Sequence, residues 1–214
     1  MKLKASLHIH TKEDFVDGYV VKYNIYELID YAVENNFKVL ALTGHKKFVY
    51  KKEFGEYARE RGIILIPSIE LHINRFLFFS DHIIVLNCEK NAEQVINFRD
   101  LAKYKKDHPE IFVLASHPGF GFLESISMNK LIKNIDLFDG LEHSWFYAKK
   151  VNLNKKVEDV AKKFNKPYIA TADAHILTYF NTDYAVINAE QFDLSSVLDA
   201  LRRGRVANIT SPKS

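Results

Sequence analysis

The chain has 214 residues, 47% hydrophobic, 13% aromatic and 27% charged, which is enough for one well-buried domain and hardly for two. Its eight Gly, five Pro and ordinary charged fraction exclude a collagen-like, disordered or linker-rich chain. The single Cys88 excludes a disulfide framework and any cysteine-based zinc site. A net charge of +3 demands neither a nucleic-acid nor a membrane partner, though it is compatible with an anionic substrate.

No apolar run approaches the ~18 residues of a membrane span. Met1-Lys2-Leu3-Lys4 leads directly into a strand-like run without the h-region of a signal peptide. A cytoplasmic protein of one domain, residues 1–214, with no membrane partner is therefore expected.

In chain order, strand-length apolar runs alternate with segments of helical period. Leu3–Ile9 reads as the first strand. Asn24, with Glu27 three residues on, is a capping-box signal opening a helix to about Asn36. Its Ile25, Leu28, Ile29, Ala32 and Val33 recur on one helical face. Val39–Leu42 is a second strand, followed by a charged helix over Lys47–Arg61 that Gly62 ends. Ile63–Ile69 and His82–Leu86 are the third and fourth strands; a helix over Ala92–Lys106 precedes the fifth, Ile111–Ala115. A helix over Leu123–Lys133, a strand over Gly140–Glu142 and a helix over Ala148–Phe164 come next. Pro167–Thr171 is the seventh strand and Tyr184–Ile187 an eighth, before a last helix over Leu194–Arg203. Val/Ile/Leu runs without alternation suit strands covered on both faces, as in parallel sheets. The strand–helix order fits a doubly wound sheet or a barrel.

Reactive side chains gather where these strands end. His8 and His10 close the first, His45 follows the second, and Glu70 closes the third. His117 follows the fifth, Glu142 and His143 end the sixth, and Asp173 and His175 follow the seventh. In a parallel barrel all of them share the carboxyl-end face, where the catalytic groups of such barrels sit. A doubly wound sheet would spread them along an edge, so the pattern favours a barrel. His8 and His10, two apart on a strand, point to one side and can grip one cation; Asp173 and His175 repeat that spacing. Singly, either pair is weak, because a buried structural histidine explains it as well. Jointly they make a metal site, and mixed imidazole and carboxylate donors suit Zn, Mn or Fe rather than Ca. About nine candidate donors suffice for two or three divalent ions, which would polarise a phosphoryl oxygen and acidify a bound water.

These motifs resemble those of the PHP (polymerase and histidinol phosphatase) family of metal-dependent phosphoesterases. The family's His-x-His-Thr matches His8-Ile9-His10-Thr11, its Leu-Thr-Asp-His matches Leu42-Thr43-Gly44-His45, and its Gly-Ile-Glu matches Ser68-Ile69-Glu70. The His opening its next strand matches His82. Ser116-His117-Pro118 and Ala172-Asp173-Ala174-His175 match its Ser-His-Pro and Ser-Asp-Ala-His. Ala200 to Val206 looks like the helix and strand that end such domains. The resemblance spans nearly the whole chain. It implies a distorted (β/α)7 TIM-like barrel with a trinuclear metal site at the C-terminal face of its parallel strands.

By that resemblance, His8, His10, Glu70 and Asp173 hold a first ion. His45 and His175 hold a second, with a first-loop residue for which Asp17 is the better match and Asp14 the rival. Glu70, bridging, joins His82 and His117 on a third. His82 opens its strand, the wrong end in a wholly parallel barrel, so a bulge or later strand start is required. Two departures stand out: the first loop, Lys12 to Gly18, is about two residues longer than usual, and Gly44 replaces the Asp before His45. The second departure removes a side chain that would support the His45 ring.

The implied activity is hydrolysis of a phosphate ester by a metal-bridging hydroxide. The substrate would be a small phosphorylated metabolite, a nucleotide or a nucleic-acid end. Lys46, Lys47 and Arg75 are candidate phosphate clamps, and His143 is a candidate general acid or a packed imidazole beside Trp145. His72 reads as a loop residue, or as one sharing the strand face of Glu70 if that strand continues, and Glu142 reads as a partner of a ligand histidine. Phe48, Phe76, Phe78 and Phe79 could stack a ring or simply pack. Two rival functions are a non-catalytic PHP-like subunit binding protein or RNA, and a metal-dependent C–N hydrolase. The second would carry a metal-bridging Lys on a middle strand, and neither Ile63–Ile69 nor His82–Leu86 contains one.

Overall fold

The structure is a computed structural model that describes residues 1–76, 79–120, 124–148 and 151–212, with the backbone alone for Arg75 and Phe76. Among the described residues, nine strands form one sheet: β1 (Lys2–Ile9), β2 (Val39–Leu42), β3 (Ile64–Phe76), β4 (Phe79–Leu86), β5 (Phe112–Ala115), β6 (Gly140–His143), β7 (Tyr168–Ala170), β8 (Tyr184–Asn188) and β9 (Val206–Ile209). The α-helices of the described residues are α1 (Ile25–Glu34), α2 (Lys52–Glu60), α3 (Phe98–Asp107), α4 (Met128–Lys133), α5 (Asn154–Lys163) and α6 (Leu194–Arg202). The order across the sheet is β7-β6-β5-β4-β3-β2-β1-β8-β9. The sheet curls until its two ends meet. Past β7, Ala174 bridges Ile9 of β1, with His10 N donating to Ala174 O at 3.2 Å and Ala174 N to His8 O at 3.3 Å. At the other end of the barrel, the Asn208 side chain of β9 bonds Ala170 N and Tyr168 O of β7.

Alternation along the strands sorts side chains into two layers. Leu3, Ala5, Leu7, Ala41, Ile66, Ile84, Leu86, Phe112, Leu114 and Ile169 fill the interior, and α6 packs Val197, Leu198 and Leu201 into the same cluster. Leu40, Leu42 and Leu65 pack outward with α1 and α2. Ile69, Leu71, Ile83, Val85, Val113 and Leu141 pack outward with α3, α4 and α5. This two-sided covering explains the unbroken apolar runs. β1 changes phase once. Leu7 lies in the inner cluster and Ile9 in the outer one, because the register with β2 shifts between Ser6 and Ile9. Such an irregularity re-aims the residues after it, and here it turns His8 and His10 toward the barrel mouth. Thr43 holds the bulge: its Oγ1 accepts from Ile9 N at 2.9 Å and donates to Ile9 O at 3.0 Å.

The barrel is not wholly parallel. β4 runs antiparallel to both β3 and β5, so the start of β4 lies beside the end of β3. His82 therefore reaches the same face as the other motifs through strand direction, with no late start.

Local departures have local causes. The Asn24 capping box forms as expected, with Glu27 Oε2 accepting from Asn24 N at 2.8 Å, but Val33 is 39% exposed rather than buried. α2 starts at Lys52 rather than Lys47, because Glu93 ties Phe48 N (3.0 Å) and Lys47 Nζ (3.2 Å) into an extended loop. The expected 92–106 helix is two pieces, a 3-10 turn at Lys90–Gln94 and then α3, whose Asn97 cap accepts from Asp100 N. α4 and α5 begin at Met128 and Asn154, later than the periodicity suggests, the first at a Ser127 cap. Among the described residues no helix is long and apolar enough to cross a membrane.

Candidate metal centre

Glu70 is the centre of the barrel mouth. It is fully buried and both its oxygens face imidazoles. Oε2 stands 3.2 Å from His8 Nε2, 3.5 Å from His10 Nε2 and 3.0 Å from His45 Nε2. Oε1 stands 3.0 Å from His82 Nδ1 and 3.5 Å from His117 Nε2. Asp173 Oδ1 lies 3.3 Å from both His8 Nε2 and His10 Nε2 and 3.6 Å from His175 Nδ1. Asp17 Oδ2 lies 2.9 Å from His175 Nε2 and 3.9 Å from His45 Nδ1. Thus all nine groups that the motifs single out as ligands meet at one rim, although seven separate segments contribute them.

Two further carboxylates orient the rings from behind. Asp14 Oδ2 lies 2.9 Å from His10 Nδ1 and 3.0 Å from His45 Nδ1, and it accepts from His45 N at 2.9 Å. Glu142 Oε1 lies 2.9 Å from His8 Nδ1. Thr171 Oγ1 donates to the same oxygen, while His117 N donates to Glu142 Oε2. With Nδ1 facing a carboxylate, each imidazole turns its Nε2 toward Glu70, the arrangement by which outer carboxylates orient ligand histidines. Asp14 also repairs the departure at Gly44. A side chain there has no room, since a Cβ would stand 2.8 Å from Val49 Cγ2 and 2.9 Å from Lys47 O; the first loop supports His45 instead. Asp14, the rival for the first-loop position, thus stands behind the His10 and His45 rings, whereas Asp17, the better match, faces His175.

Backbone strain collects at the same place. His117, Asp173 and Lys46 all adopt positive φ (28°, 46° and 61°), a conformation that costs non-glycine residues roughly 1–3 kcal/mol each and clusters at functional sites.

Electrostatics follow from burial and mutual charge. Burial opposes ionisation of Glu70, yet His8, His82 and His45 override it and hold the carboxyl well below the usual range. Asp173 behaves likewise beside His8 and His10, and Asp14 is lowered by its bonds to His10 and His45. Burial would lower His8, but Asp173, Glu70 and Glu142 raise it well above the ordinary value. His45 is pushed up to about 10 against burial by Glu70 and Asp14. His117 and His175 are raised by neighbouring carboxylates, again against burial. His82 is lowered by burial, and His72 is lowered to about 2 by burial and the adjacent His82.

The donor set fits a group of divalent transition ions. Two donors ~2.1 Å from one tetrahedral ion stand roughly 3.4 Å apart. The His8–Asp173, His10–Asp173, His10–Glu70 and His117–Glu70 separations lie between 3.3 and 3.5 Å. His10 Nε2 and His82 Nε2 are buried without a hydrogen-bond partner, a state native proteins avoid unless something else satisfies the atom. Within the rim, His8, His10 and Glu70, then His10, Asp173 and His175, and then His45, Glu70, His72 and His82, each bring their donor atoms within 4.8 Å of one another.

Two expectations lie off this cluster, His143 and Lys47. Glu142 faces inward, so the next residue, His143, faces outward; its ring packs edge-on to Tyr147 (5.0 Å) and Tyr168 (5.5 Å), and burial lowers it. The structure does not bring His143 to the rim, and the packed-imidazole alternative describes it, with tyrosines rather than Trp145 as neighbours. Lys47 is committed to Glu93. The Arg75, Phe76 and Phe78 side chains lie outside the described residues, while Lys46 and His72 line a cavity of about 340 Å³. His72 lies on β3 rather than in a loop, two residues beyond Glu70 on the same face, because the strand continues past Ile69.

The family model described as PHP-associated matches residues 151–206, from before α5 to the start of β9. No curated protein matches the chain. Among solved structures, a two-domain protein from Bacteroides vulgatus, described as containing a predicted PHP-like metal-dependent phosphoesterase, superposes over 98% of this chain and 65% of its own, with 17% identity and TM-score 0.73. The chain has the PHP fold. PsfC from Pseudomonas syringae superposes with 12% identity and TM-score 0.67, over 98% of this chain and 92% of its own. The lesion-specific endonuclease PfuEndoQ from Pyrococcus furiosus does so with 12% identity and TM-score 0.65, over 98% and 57% respectively. The chain thus spans less than two thirds of the Bacteroides protein and of the endonuclease. The PHP barrel accounts for the convergence of the motifs, and the antiparallel β4 places the His82 match where the resemblance requires it.

Proposed function

We propose that the protein is a metal-dependent phosphoesterase that hydrolyses a phosphate ester at the Glu70 rim. The observation that carries this reading is a buried carboxylate whose two oxygens face five imidazoles, the disposition of a bridging ligand. His8, His10, Glu70 and Asp173 would hold one ion, Asp17, His45 and His175 a second, and Glu70, His82 and His117 a third. Bound divalent ions there supply Lewis acidity for a phosphoryl oxygen and bring the pKa of a water near ~7.

The chain's own groups do the positioning. Asp14 and Glu142 fix the donor rings, so little reorganisation is needed as charge develops. Beside His117 and Asp173 opens a cavity of about 480 Å³, lined also by Phe120, Ser125, Trp145 and Phe146. It can receive the leaving group, with the hydroxyl of Ser125 and the aromatic faces as contacts. Its size suits a metabolite, a nucleotide or the end of a nucleic acid. The likeness to an endonuclease and to a PHP-like phosphoesterase is consistent with phosphate chemistry.

The test is a panel of phosphomonoesters, phosphodiesters and short oligonucleotides, assayed after metal stripping and reloading with zinc or manganese. Hydrolysis that needs the metal and disappears in His10→Ala and Asp173→Ala is expected. Hydrolysis that survives both substitutions, or none on any substrate class, removes the assignment.

A further inference from the structure

His72 belongs to none of the ligand sets above, yet its setting is that of a ligand. β3 and β4 pair antiparallel with Glu70 opposite Ile84 and His72 directly opposite His82. Directly opposed residues present their side chains on one face, and Glu70 and His72, two apart, share it. The intervening Leu71 and Ile73 pack into the outer core, so the polar alternation is built into the hairpin. The rings of His72 and His82 lie 3.8 Å apart, centroid to centroid, and the ring of His45 stands edge-on to His72 at 5.0 Å. His72 Nε2 and His82 Nε2 are both buried without a hydrogen-bond partner. One donor atom from each of His45, Glu70, His72 and His82 lies within 4.8 Å of the other three.

We infer that His72 is a metal ligand, completing with His45, Glu70 and His82 a subsite of three imidazoles and one carboxylate on the β3–β4 side of the rim. The inference rests on the metal-dependent reading and regroups part of it: His45 and His82 share this one ion with Glu70 and His72, leaving Asp17 and His175 to the second ion and His117 to the third, and it adds a metal preference. Three imidazoles and a single carboxylate oxygen make a four-donor set that suits zinc, whereas manganese favours oxygen donors. On the far side of the rim, Asp17 and Asp173 supply more oxygen. The two sides therefore differ in preference. The cavity lined by Lys46, His72, Glu93 and Ile96 gives an ion a route to this subsite apart from the one beside His117.

The experiment is equilibrium dialysis of the metal-stripped chain against Zn(II) alone and Mn(II) alone, followed by elemental analysis. It compares the unchanged protein with His72→Ala and His72→Phe, the second filling the ring's space without a donor atom. Loss of about one zinc per chain in folded His72 variants, with manganese uptake unchanged, is the expected result. Should both variants fail to fold, ¹H–¹⁵N spectra of the histidine rings in the unchanged protein decide: zinc must shift the His72 ring nitrogen. An unchanged protein that loads zinc normally, beside variants that load it identically, overturns the role of His72 alone. An unchanged protein that takes up neither ion overturns the metal-dependent reading and His72 with it.

Discussion

At the residue scale, the rim separates groups whose donor atoms converge on Glu70 from groups that aim those rings from behind, and the two kinds differ in how far the sequence reveals them. His8 and His10 are legible because strand periodicity puts i and i+2 on one side, and Glu70, Asp173 and His175 because they close or follow strand-length apolar runs. Asp14 is not, because its position depends on a turn in which its own Oδ1 accepts from Val16 N and Asp17 N. Asp14→Asn keeps the shape and removes the charge behind two imidazoles. Metal affinity should fall ~10–100-fold, measured by competition with a chromophoric chelator; an unchanged affinity would show that Asp14 orients nothing. Gly44 is constrained by space rather than by conformation. Gly44→Ala forces a methyl against Val49 and Lys47 O, so urea denaturation should show a loss of about 1–3 kcal/mol. Adding Val49→Ala should return part of it.

At the element scale, the number and order of most strands follow from the apolar runs, and their ends from caps such as Asn24. The direction of β4 does not. A hairpin and a crossover look alike when the inward residues, Glu70, His72 and His82, are polar because they serve the site rather than because they meet water. Helices also start later than the periodicity predicts, as at Lys47, where a charged loop is held open by Glu93 instead of winding into α2. The bulge in β1 is the element-level device that matters most, since it turns His8 and His10 inward. Thr43 satisfies the Ile9 N–H at that bulge, and Thr43→Val is nearly isosteric. The substitution should cost about 1–3 kcal/mol by stranding a buried donor, and it should weaken metal binding along with thermal stability. A variant with lowered Tm and unaltered metal uptake would separate the bulge from the site.

At the scale of the whole molecule, the rim is a reservoir of protons as well as of donors. His8, His45, His117 and His175 all titrate above the ordinary value when no ion is held. Their pairing with carboxylates therefore stabilises the metal-free fold fully below about pH 6.5. That contribution fades as the pH rises through the raised values, about 10 for His45. Glu70, Asp173 and Asp14, held low, contribute above their ordinary range and lose that contribution in acid. An incoming cation must displace the imidazole protons, so affinity should rise with pH between roughly 6.5 and 10. Calorimetric titrations in buffers of different ionisation heat should report proton release; heats independent of buffer would contradict it.

The barrel and most of its rim residues can thus be read from strand-end positions, with Asp17 and His82 supplied by the family resemblance; the aiming role of Asp14 needed three dimensions, and His72, the third imidazole of the β3–β4 subsite, needed the length of β3. The central claim is that Glu70 lies between ions. Anomalous diffraction from crystals of the zinc-loaded protein tests it most directly. At least two peaks, each within bonding distance of a different Glu70 oxygen, are predicted. A single peak that Glu70 does not touch, or no peak at the rim, would contradict the account.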